Sequence, residues 1–352
     1  AVIYFPFDWA WSVRRALRKV QPSAVLIMET ELWPNFLRLC RKRSVPTAII
    51  NGRLSERSFR RYRLIGGFTK RIVSDLSLAL MQTEMDAERI RALGLAPERV
   101  FVSGNLKFDA GAPSGEQILT SAFRDRFRLD DRSPLIIAAS THSPEEKIVL
   151  EAFRELRAAR GNERARLMIA PRHPERFNEV ASLLEPSGFT WSRRSAASSP
   201  HDSTCDIILL DSVGELRAAY PLASIVFVGG SIAETGGHNI LEPASFGVCT
   251  VTGAHTFNFK AIVEAFLEAG ALVQLPALSE IQAAHALAGL WQELLADDER
   301  RRTIGARARA ALEKNRGATT RTVEQLSLLL APAPALPGHG EAEGESRNAL
   351  SA

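Results

Sequence analysis

The sequence predicts an α/β protein built from two Rossmann-like, doubly wound units. Three observations predict it. Short Val/Ile/Leu-rich runs recur along the chain, and strands apolar on both sides belong to parallel sheets covered by helices. Helical patterns separate these runs, in the alternation that builds βαβ units. The series then restarts after "DAGAPSGEQ" (Asp109–Gln117), whose Gly, Pro and Ser residues suit a linker. A length of 352 residues is enough for two domains of ordinary size.

In order, "AVLIM" (Ala24–Met28) reads as a strand and is followed by a helix over Pro34–Arg43. "TAIIN" (Thr47–Asn51) precedes a long basic helix, "LALM" (Leu78–Met81) precedes a helix over Glu84–Leu93, and "VFVSG" (Val100–Gly104) closes the half. The second half runs through "PLIIAAS" (Pro134–Ser140), "RLMIAP" (Arg166–Pro171), "DIILLD" (Asp206–Asp211), "SIVFVGG" (Ser224–Gly230), "CTVTG" (Cys249–Gly253) and "ALVQL" (Ala271–Leu275). A helical stretch, Ala283–Leu330, ends the fold. The Pro/Gly-rich segment 331–352 reads as a disordered tail. The division is therefore 1–112, 113–310, a closing helix over 311–330 that packs back on the first domain, and the tail. The first unit is short of strands for its class, as if incomplete at its start.

Composition sets the outer limits. Hydrophobic residues make up 45% and charged residues 24%, as in soluble globular proteins. The net charge of +4 is mild but unevenly placed. Cys40, Cys205 and Cys249 are scattered, which excludes a disulfide framework and a clustered zinc site and fits a reducing compartment. No apolar run is long enough to span a bilayer, and no stretch of the given sequence reads as a signal peptide. The chain opens at "AVIYFPFD" without an initiating Met, and the natural protein is expected to extend further upstream.

Ligands of open α/β sheets bind beyond the carboxyl ends of the strands, so the residues there are the site candidates. Glu29 and Glu31 follow the first strand beside Trp33. A helix N-terminus also favours carboxylates, and the two readings stand level. Arg53, Arg57, Arg60, Arg61, Arg63, Lys70 and Arg71 follow the second strand against one acid, Glu56. A solvated helix face is the bland reading. The excess of one sign suits phosphates or an anionic membrane surface, and no nucleic-acid motif accompanies it. Lys107, in "GNLKFD" (Gly104–Asp109), could meet an anion, or simply follow a Gly-Asn turn.

In the second half, Thr141 and His142 lead into Pro144, Glu145 and Glu146, a well-capped helix start that could also hold a phosphate. Arg172 and His173 stand between two prolines, Pro171 and Pro174, which fix the backbone and favour an anion-binding Arg. Ser212, Val213, Gly214 and Glu215 repeat the pattern, with Gly214 permitting close approach of a ligand and capping as the alternative. "VGGSIAETGGHNILEP" (Val228–Pro243) lacks the dinucleotide fingerprint and the P-loop, which argues against a nicotinamide dehydrogenase and a P-loop ATPase. Its glycine-rich turn is expected to present N–H groups to an anion, with Gly236, Gly237, His238 and Asn239 nearby and Glu242 one turn inside the next helix, toward a ribose.

"GGHNILEPA" (Gly236–Ala244) in the second unit resembles the sugar-nucleotide site of GT-B glycosyltransferases. "YFPFD" (Tyr4–Asp8), "METELWPN" (Met28–Asn35), "GRLSERS" (Gly52–Ser58), "GNLKFD", "STHSPEE" (Ser140–Glu146), "PRHPERF" (Pro171–Phe177) and "GAHTFNF" (Gly253–Phe259) together resemble one family, the 3-deoxy-D-manno-octulosonic acid (Kdo) transferases of lipopolysaccharide synthesis. The resemblance runs over nearly all of residues 1–330. It implies a GT-B architecture, with a cleft between an acceptor-binding and a CMP-sugar-binding domain. It also implies inverting, metal-independent transfer of Kdo from CMP-Kdo to a lipid A precursor, lipid IVA, at the cytoplasmic face of the bacterial inner membrane. CMP-Kdo is then a substrate, and no cofactor, metal or nucleic acid is involved.

By the same resemblance, Pro171, Arg172, Val213, Gly214, Glu215, Asn239, Ile240, Leu241 and Glu242 hold the CMP moiety, and Thr141, His142, His173, Gly236, Gly237 and His238 are further donor contacts. Glu29 and Lys107 stabilise the transition state, and the cations between Arg53 and Arg71 face acceptor phosphates and membrane. One departure is expected to matter. The family's membrane anchor and the Gly-Glu motif that supplies its general base precede "YFPFD", so the base is expected upstream of Ala1, and residues 1–352 alone are expected to transfer weakly or not at all. Two alternatives remain at this level. One is another GT-B enzyme, an epimerase or a transferase with a different donor. The other is a non-catalytic module that binds membrane anions.

Overall fold

The computed structural model describes residues 2–109, 116–130 and 133–330. The tail 331–352 and most of the expected linker, residues 110–115, lie outside them. The chain divides into two compact units, one running to Asn105 and resuming at Gly317, the other spanning Leu106–Arg316. The first boundary falls before the Gly/Pro/Ser stretch because Phe108 is already buried in the second unit's core. The second falls after 310 because the helix Asp298–Asn315 continues unbroken and buries Leu312 in that same core.

The first unit has a four-stranded parallel sheet in sequence order: β1 (Val25–Met28), β2 (Thr47–Gly52), β3 (Leu78–Met81) and β4 (Val100–Val102). Side chains alternate across it. Ile27, Ile49, Ala79 and Met81 face a core completed by Leu37, Ile72, Val73 and Ile90 from the connecting helices. Ala48, Leu78 and Leu80 face the other way and meet Leu326 and Leu329 of the final helix, Ala318–Leu330. That helix is tied on further by Arg321, whose Nε donates to Ser103 O at 2.9 Å. The expected long basic helix is two short ones, Glu56–Leu64 and Gly66–Val73, broken at Ile65. A helix over Ala10–Val20, unmarked in the sequence reading, packs Val13 and Leu17 against Phe36, Leu39 and Cys40.

The second unit has seven parallel strands. They are β5 (Leu135–Thr141), β6 (Arg166–Pro171), β7 (Trp191–Arg193), β8 (Ile207–Leu209), β9 (Ile225–Val228), β10 (Cys249–Thr252) and β11 (Val273–Gln274). Their spatial order is β11-β10-β9-β5-β6-β8-β7. Strand β7 escaped the sequence reading because "WSR" is three residues long with a Ser facing the core and an Arg at its end. The central strands are apolar on both sides, so two cores form. Ile137, Met168, Val226 and Val228 enter one, and Ile136, Ile169, Phe227 and Val251 the other. The expected single helical stretch from Ala283 is three helices, Glu280–Ala296, Asp298–Asn315 and Ala318–Leu330, the last belonging to the first unit.

Because the final helix supplies the apolar cover for β2 and β3, removing that cover should loosen the first unit selectively. Replacing both Leu326 and Leu329 by Ala should cost about 2–4 kcal/mol in total for two partly buried side chains. Hydrogen exchange should show faster opening of β2 and β3 amides, with β5 and β9 unchanged; equal loosening of both sheets would contradict this.

Candidate active site

The strand order reverses between β5 and β9. From β5 the chain builds outward through β6, then returns across β5 to lay down β9 on its other side. Such a switch point parts the connecting loops and leaves a crevice at the carboxyl ends. At β5 the ladder shifts register between Ala139 and Thr141, and Ser140 adopts φ +55°. A left-handed Ser costs energy that its surroundings must hold. Thr141 is fully buried, and its hydroxyl makes no hydrogen bond among the described residues. At β9 the strand runs into Gly229-Gly230-Ser231.

The two strand ends are joined by a carboxylate. Glu145 opens the helix Glu145–Ala158, with Pro144 in the capping position just before it, and its side chain is fully buried. Its Oε2 accepts from the N–H of His142 at 3.0 Å and of Gly230 at 2.7 Å. Its Oε1 accepts from Ser231 and Ile232 at 2.9 Å each and from Ala233 at 3.2 Å. The turn was expected to keep its N–H groups for a ligand's anion. Four of them are instead satisfied from inside the protein, since a buried carboxylate needs donors and a turn leaving a strand needs acceptors. Close approach makes the glycines obligatory: a Cβ on Gly229 would stand 2.6 Å from Glu145 Oε2.

Three histidines gather above this joint. The His142 and His238 rings stack with centroids 5.0 Å apart, and their Nε2 atoms are 2.8 Å apart, so one ring donates to the other. His173 meets His142 edge-on at 5.0 Å. Burial, reinforced by His142, Arg172 and His173, pushes the His238 pKa down to about 4. Burial also lowers that of His142, against the pull of Glu145. Both rings are therefore neutral near pH 7. Arg172 anchors its backbone N–H on Thr141 O at 3.0 Å and leaves its side chain exposed. Its loop is braced by Arg176, which spans both oxygens of buried Glu146 at 2.6 and 3.1 Å. Among the described residues no cluster of His, Cys, Asp or Glu is arranged to hold a metal ion.

The remaining donor-side residues surround this core. Gly236 and Gly237 take φ +97° and +75°. They are held by "HTFNF": Asn258 N–H donates to Gly236 O at 3.0 Å, and its side-chain amide to Thr235 O at 3.0 Å. Asn239 accepts from Leu241 N–H at 3.1 Å and donates to Glu242 Oε1 at 3.2 Å. The helix here is only Leu241–Ser245, so Glu242 lies in its first turn rather than one turn inside, and Ile240 caps it. Glu215 pairs with Arg194 at 2.9 Å and accepts from Ser212, fixing the loop on which exposed Val213 and Gly214 (φ +84°) stand. Lys107, exposed, lies with its Nζ 4.7 Å from the Phe259 ring centroid.

In the first unit, Glu29 follows β1 in a left-handed conformation (φ +58°) with its N–H on Ile50 O at 2.9 Å and its carboxylate exposed. Glu31 is engaged by Trp33 Nε1 at 3.0 Å. Arg53, Arg57, Arg60, Arg61, Arg63, Lys70 and Arg71 are all exposed. Glu56 is shared between Arg60 and Arg89. Leu64, Ile65 and Phe68 are exposed at the break between the two short helices. No helix among the described residues is long and apolar enough to cross a membrane. The sequence reading took Glu145 only as part of a capped helix start and missed that it accepts from the turn after β9. Its signal was available: four consecutive N–H groups leaving a strand require an acceptor, and a carboxylate followed the neighbouring strand.

Residues 1–110 match the family described as 3-deoxy-D-manno-octulosonic-acid transferase (kdotransferase). The 3-deoxy-D-manno-octulosonic acid transferase of Haemophilus influenzae is 38% identical over 323 residues, covering 92% of this chain and 73% of the relative. The chain belongs to this transferase family. The enzyme of the same name from Bordetella pertussis is 34% identical, with the same coverages. Among solved structures, the C-terminal CMP-Kdo binding domain of WaaA from Acinetobacter baumannii matches with TM-score 0.51 and 34% identity, over 57% of this chain and all of that domain. UDP-GlcNAc 2-epimerase from Neisseria meningitidis matches with TM-score 0.56 over 90% of this chain and 79% of its own, at 14% identity. That likeness establishes the shared two-domain GT-B fold.

The depressed His238 gives a pH signature. The unfolded chain binds a proton at the ordinary His value of 6.5, whereas the folded protein resists it until about 4. Stability is therefore untouched above pH 6.5 and falls as pH drops from 6.5 toward 4. With solvent screening the loss is on the order of 1–3 kcal/mol. H238N should flatten that part of the stability curve in urea titrations at stepped pH; an unaltered slope would show that His238 is not the group responsible.

Proposed function

We propose that this protein transfers Kdo from CMP-Kdo to a hydroxyl of a lipid A precursor, lipid IVA, with inversion at the anomeric carbon and without a metal. One observation carries the reading. The second unit gathers Thr141, His142, Arg172, His173 and His238 at its switch point, on a domain that is 34% identical to a CMP-Kdo binding domain over that domain's whole length. CMP is a leaving group with one phosphate. The bond from the anomeric carbon to the phosphate oxygen breaks as the acceptor hydroxyl oxygen attacks the opposite face and gives up its proton to a general base, and negative charge grows on the departing phosphate.

In this reading Arg172 and Lys107 neutralise that charge. Thr141 offers an unpartnered buried hydroxyl beside it. Of neutral His142 and His238, one spends its single N–H on the other's Nε2, so the Nδ1–H of the accepting ring is the one donor left, and neither ring carries charge into the buried joint. Pro171, Val213, Gly214 and Glu215 hold one side of the nucleotide, and Asn239, Ile240, Leu241 and Glu242 the other. Glu242, whose second oxygen is open beside its Asn239 bond, accepts from the ribose hydroxyls. Glu29 is the acidic partner in stabilising the sugar as positive charge develops, which its strained left-handed backbone supports.

The acceptor carries two phosphates and sits in a membrane. The seven exposed cations between Arg53 and Arg71, bordering exposed Leu64, Ile65 and Phe68, suit contact with such phosphates and with the anionic cytoplasmic face of the inner membrane.

Calorimetry tests the donor. CMP should bind, and UDP should bind at least about tenfold more weakly, because discrimination by hydrogen-bonded groups exceeds 1.4 kcal/mol. R172A should weaken CMP by about tenfold or more, the contribution of a charge-assisted bond to phosphate. Preference for UDP would instead favour an epimerase-like reading. The patch is tested by vesicle flotation: R57Q/R61Q/R63Q should reduce binding to anionic vesicles by about 1 kcal/mol per charge, with steep salt dependence. Equal binding by the triple variant would remove the membrane role from these residues.

A further inference from the structure

The Glu145 carboxylate accepts five backbone N–H groups from two strand-end loops, and neither the donor contacts nor the transition-state residues that the family resemblance implies include it. We infer that Glu145 is a positioning residue of the nucleotide site, setting the course of Gly229–Glu242 by clamping the first turn of that segment. The inference rests on the proposed CMP-Kdo reading and adds a component to it.

The argument follows the chain outward from the clamp. Glu145 Oε1 holds three successive N–H groups, those of Ser231, Ile232 and Ala233, and Oε2 holds Gly230 and His142. This fixes the direction in which the chain leaves β9. Gly230, at φ +66°, then accepts Gly237 N–H at 2.6 Å and Thr235 Oγ1 at 3.0 Å through its carbonyl, closing the loop on itself. The closed loop places His238 against the backbone of Gly230: a Cβ there would stand 2.8 Å from His238 Cδ2 and 2.9 Å from its Nε2. It also sets the His238 ring on that of His142, whose own N–H belongs to the same carboxylate. Asn239–Glu242 follow directly. One carboxylate thus governs both members of the histidine pair and the start of the Asn-Ile-Leu-Glu segment.

A second contact locks the same turn from the opposite side. Ser231 Oγ donates to Val228 O at 2.6 Å and accepts Gly253 N–H at 2.8 Å, and Ser231 O accepts His255 N–H at 2.8 Å. These bonds join β9 to β10 and do not depend on Glu145. Loss of the carboxylate should therefore leave the strands in place and free the loop, which is the signature of a positioning role.

The test is E145Q, which keeps the shape but turns one acceptor into a donor facing N–H groups. CMP affinity by calorimetry should fall about tenfold or more, as for a misplaced binding group. The His238 ring, titrated by its NMR resonance, should move up toward the ordinary histidine value as its burial relaxes. I208A, a core truncation away from the loop, should lower stability while leaving both readouts at wild-type values. If E145Q does not fold, G229A carries the same test, because its Cβ meets the same carboxylate at 2.6 Å. A folded E145Q or G229A with CMP affinity within about twofold of wild type and an unmoved His238 titration would overturn the inference. Absence of CMP binding by the wild-type protein would instead sink the donor reading, so the two failures are distinct.

Discussion

A buried carboxylate cannot stand without donors, and a strand that ends in a turn cannot leave its N–H groups buried without acceptors. In the second unit these two demands answer each other. Glu145 supplies the acceptor oxygens and the turn after β9 supplies four of the five donors. The fifth, His142 N–H, comes from the end of β5. The pairing therefore crosses the place where the strand order reverses, and it joins two loops that topology would otherwise part. Residues at the crevice follow directly from these two loops: the histidine pair on both of them, and Asn239–Glu242 on the closed glycine loop.

Glycine appears along this segment for reasons that differ by position. At Gly229 the reason is space, since a methyl group would meet Glu145 and the backbone of Ser140. At Gly236 it is both space, against Asn258, and a backbone at φ +97° that side chains disfavour. The Gly229 amide is spent on Ala139 O at 2.8 Å rather than offered to a phosphate. The "GAHTFNF" segment belongs to the same construction, because Asn258 laces the loop shut through Gly236 O and Thr235 O.

Much of the fold was legible. The strands of the second unit declare themselves by being apolar on both faces, and the reading placed β5, β6, β9 and β10 correctly to within a residue or two. What escaped has physical causes. Strand β7 is short and carries Arg193 at its end, so it has no periodic signal. The break at Ile65 has no Gly or Pro before it, only the pair Gly66-Gly67 just after, and the basic pattern continues across it. The division of the last helical stretch into three also escaped, because Asp297 and Arg316-Gly317 are short breaks in an otherwise continuous helical pattern. For the site, the residue types after each strand pointed to loops that the second unit brings together at its switch point. The error lay in treating free N–H groups as available to ligand without asking which side chain of the protein itself would claim them. Glu145 sat in plain view as the first residue of a helix, where a carboxylate is ordinarily read as a dipole partner.

The clamp also constrains how the site can meet an anion. In dinucleotide-binding folds the turn's own N–H groups and the following helix receive the phosphate. Here the turn's amides are committed to Glu145, Leu241 N–H is committed to Asn239, and the helix that follows has only five residues. The first turn therefore offers no amide cradle, and charge for an anion at this crevice comes from side chains, Arg172 of the β6 loop and Lys107. Side-chain cations supply charge at a few discrete points rather than a cradle of amides. That arrangement suits a leaving group with one phosphate better than a pyrophosphate, which needs neutralisation along its length. It also explains why the histidines are held neutral. With Arg172 exposed at the edge and Glu145 already saturated beneath, a protonated His238 would add a buried charge with no counterion of its own, and burial together with its cationic neighbours keeps that proton off until the pH is near 4.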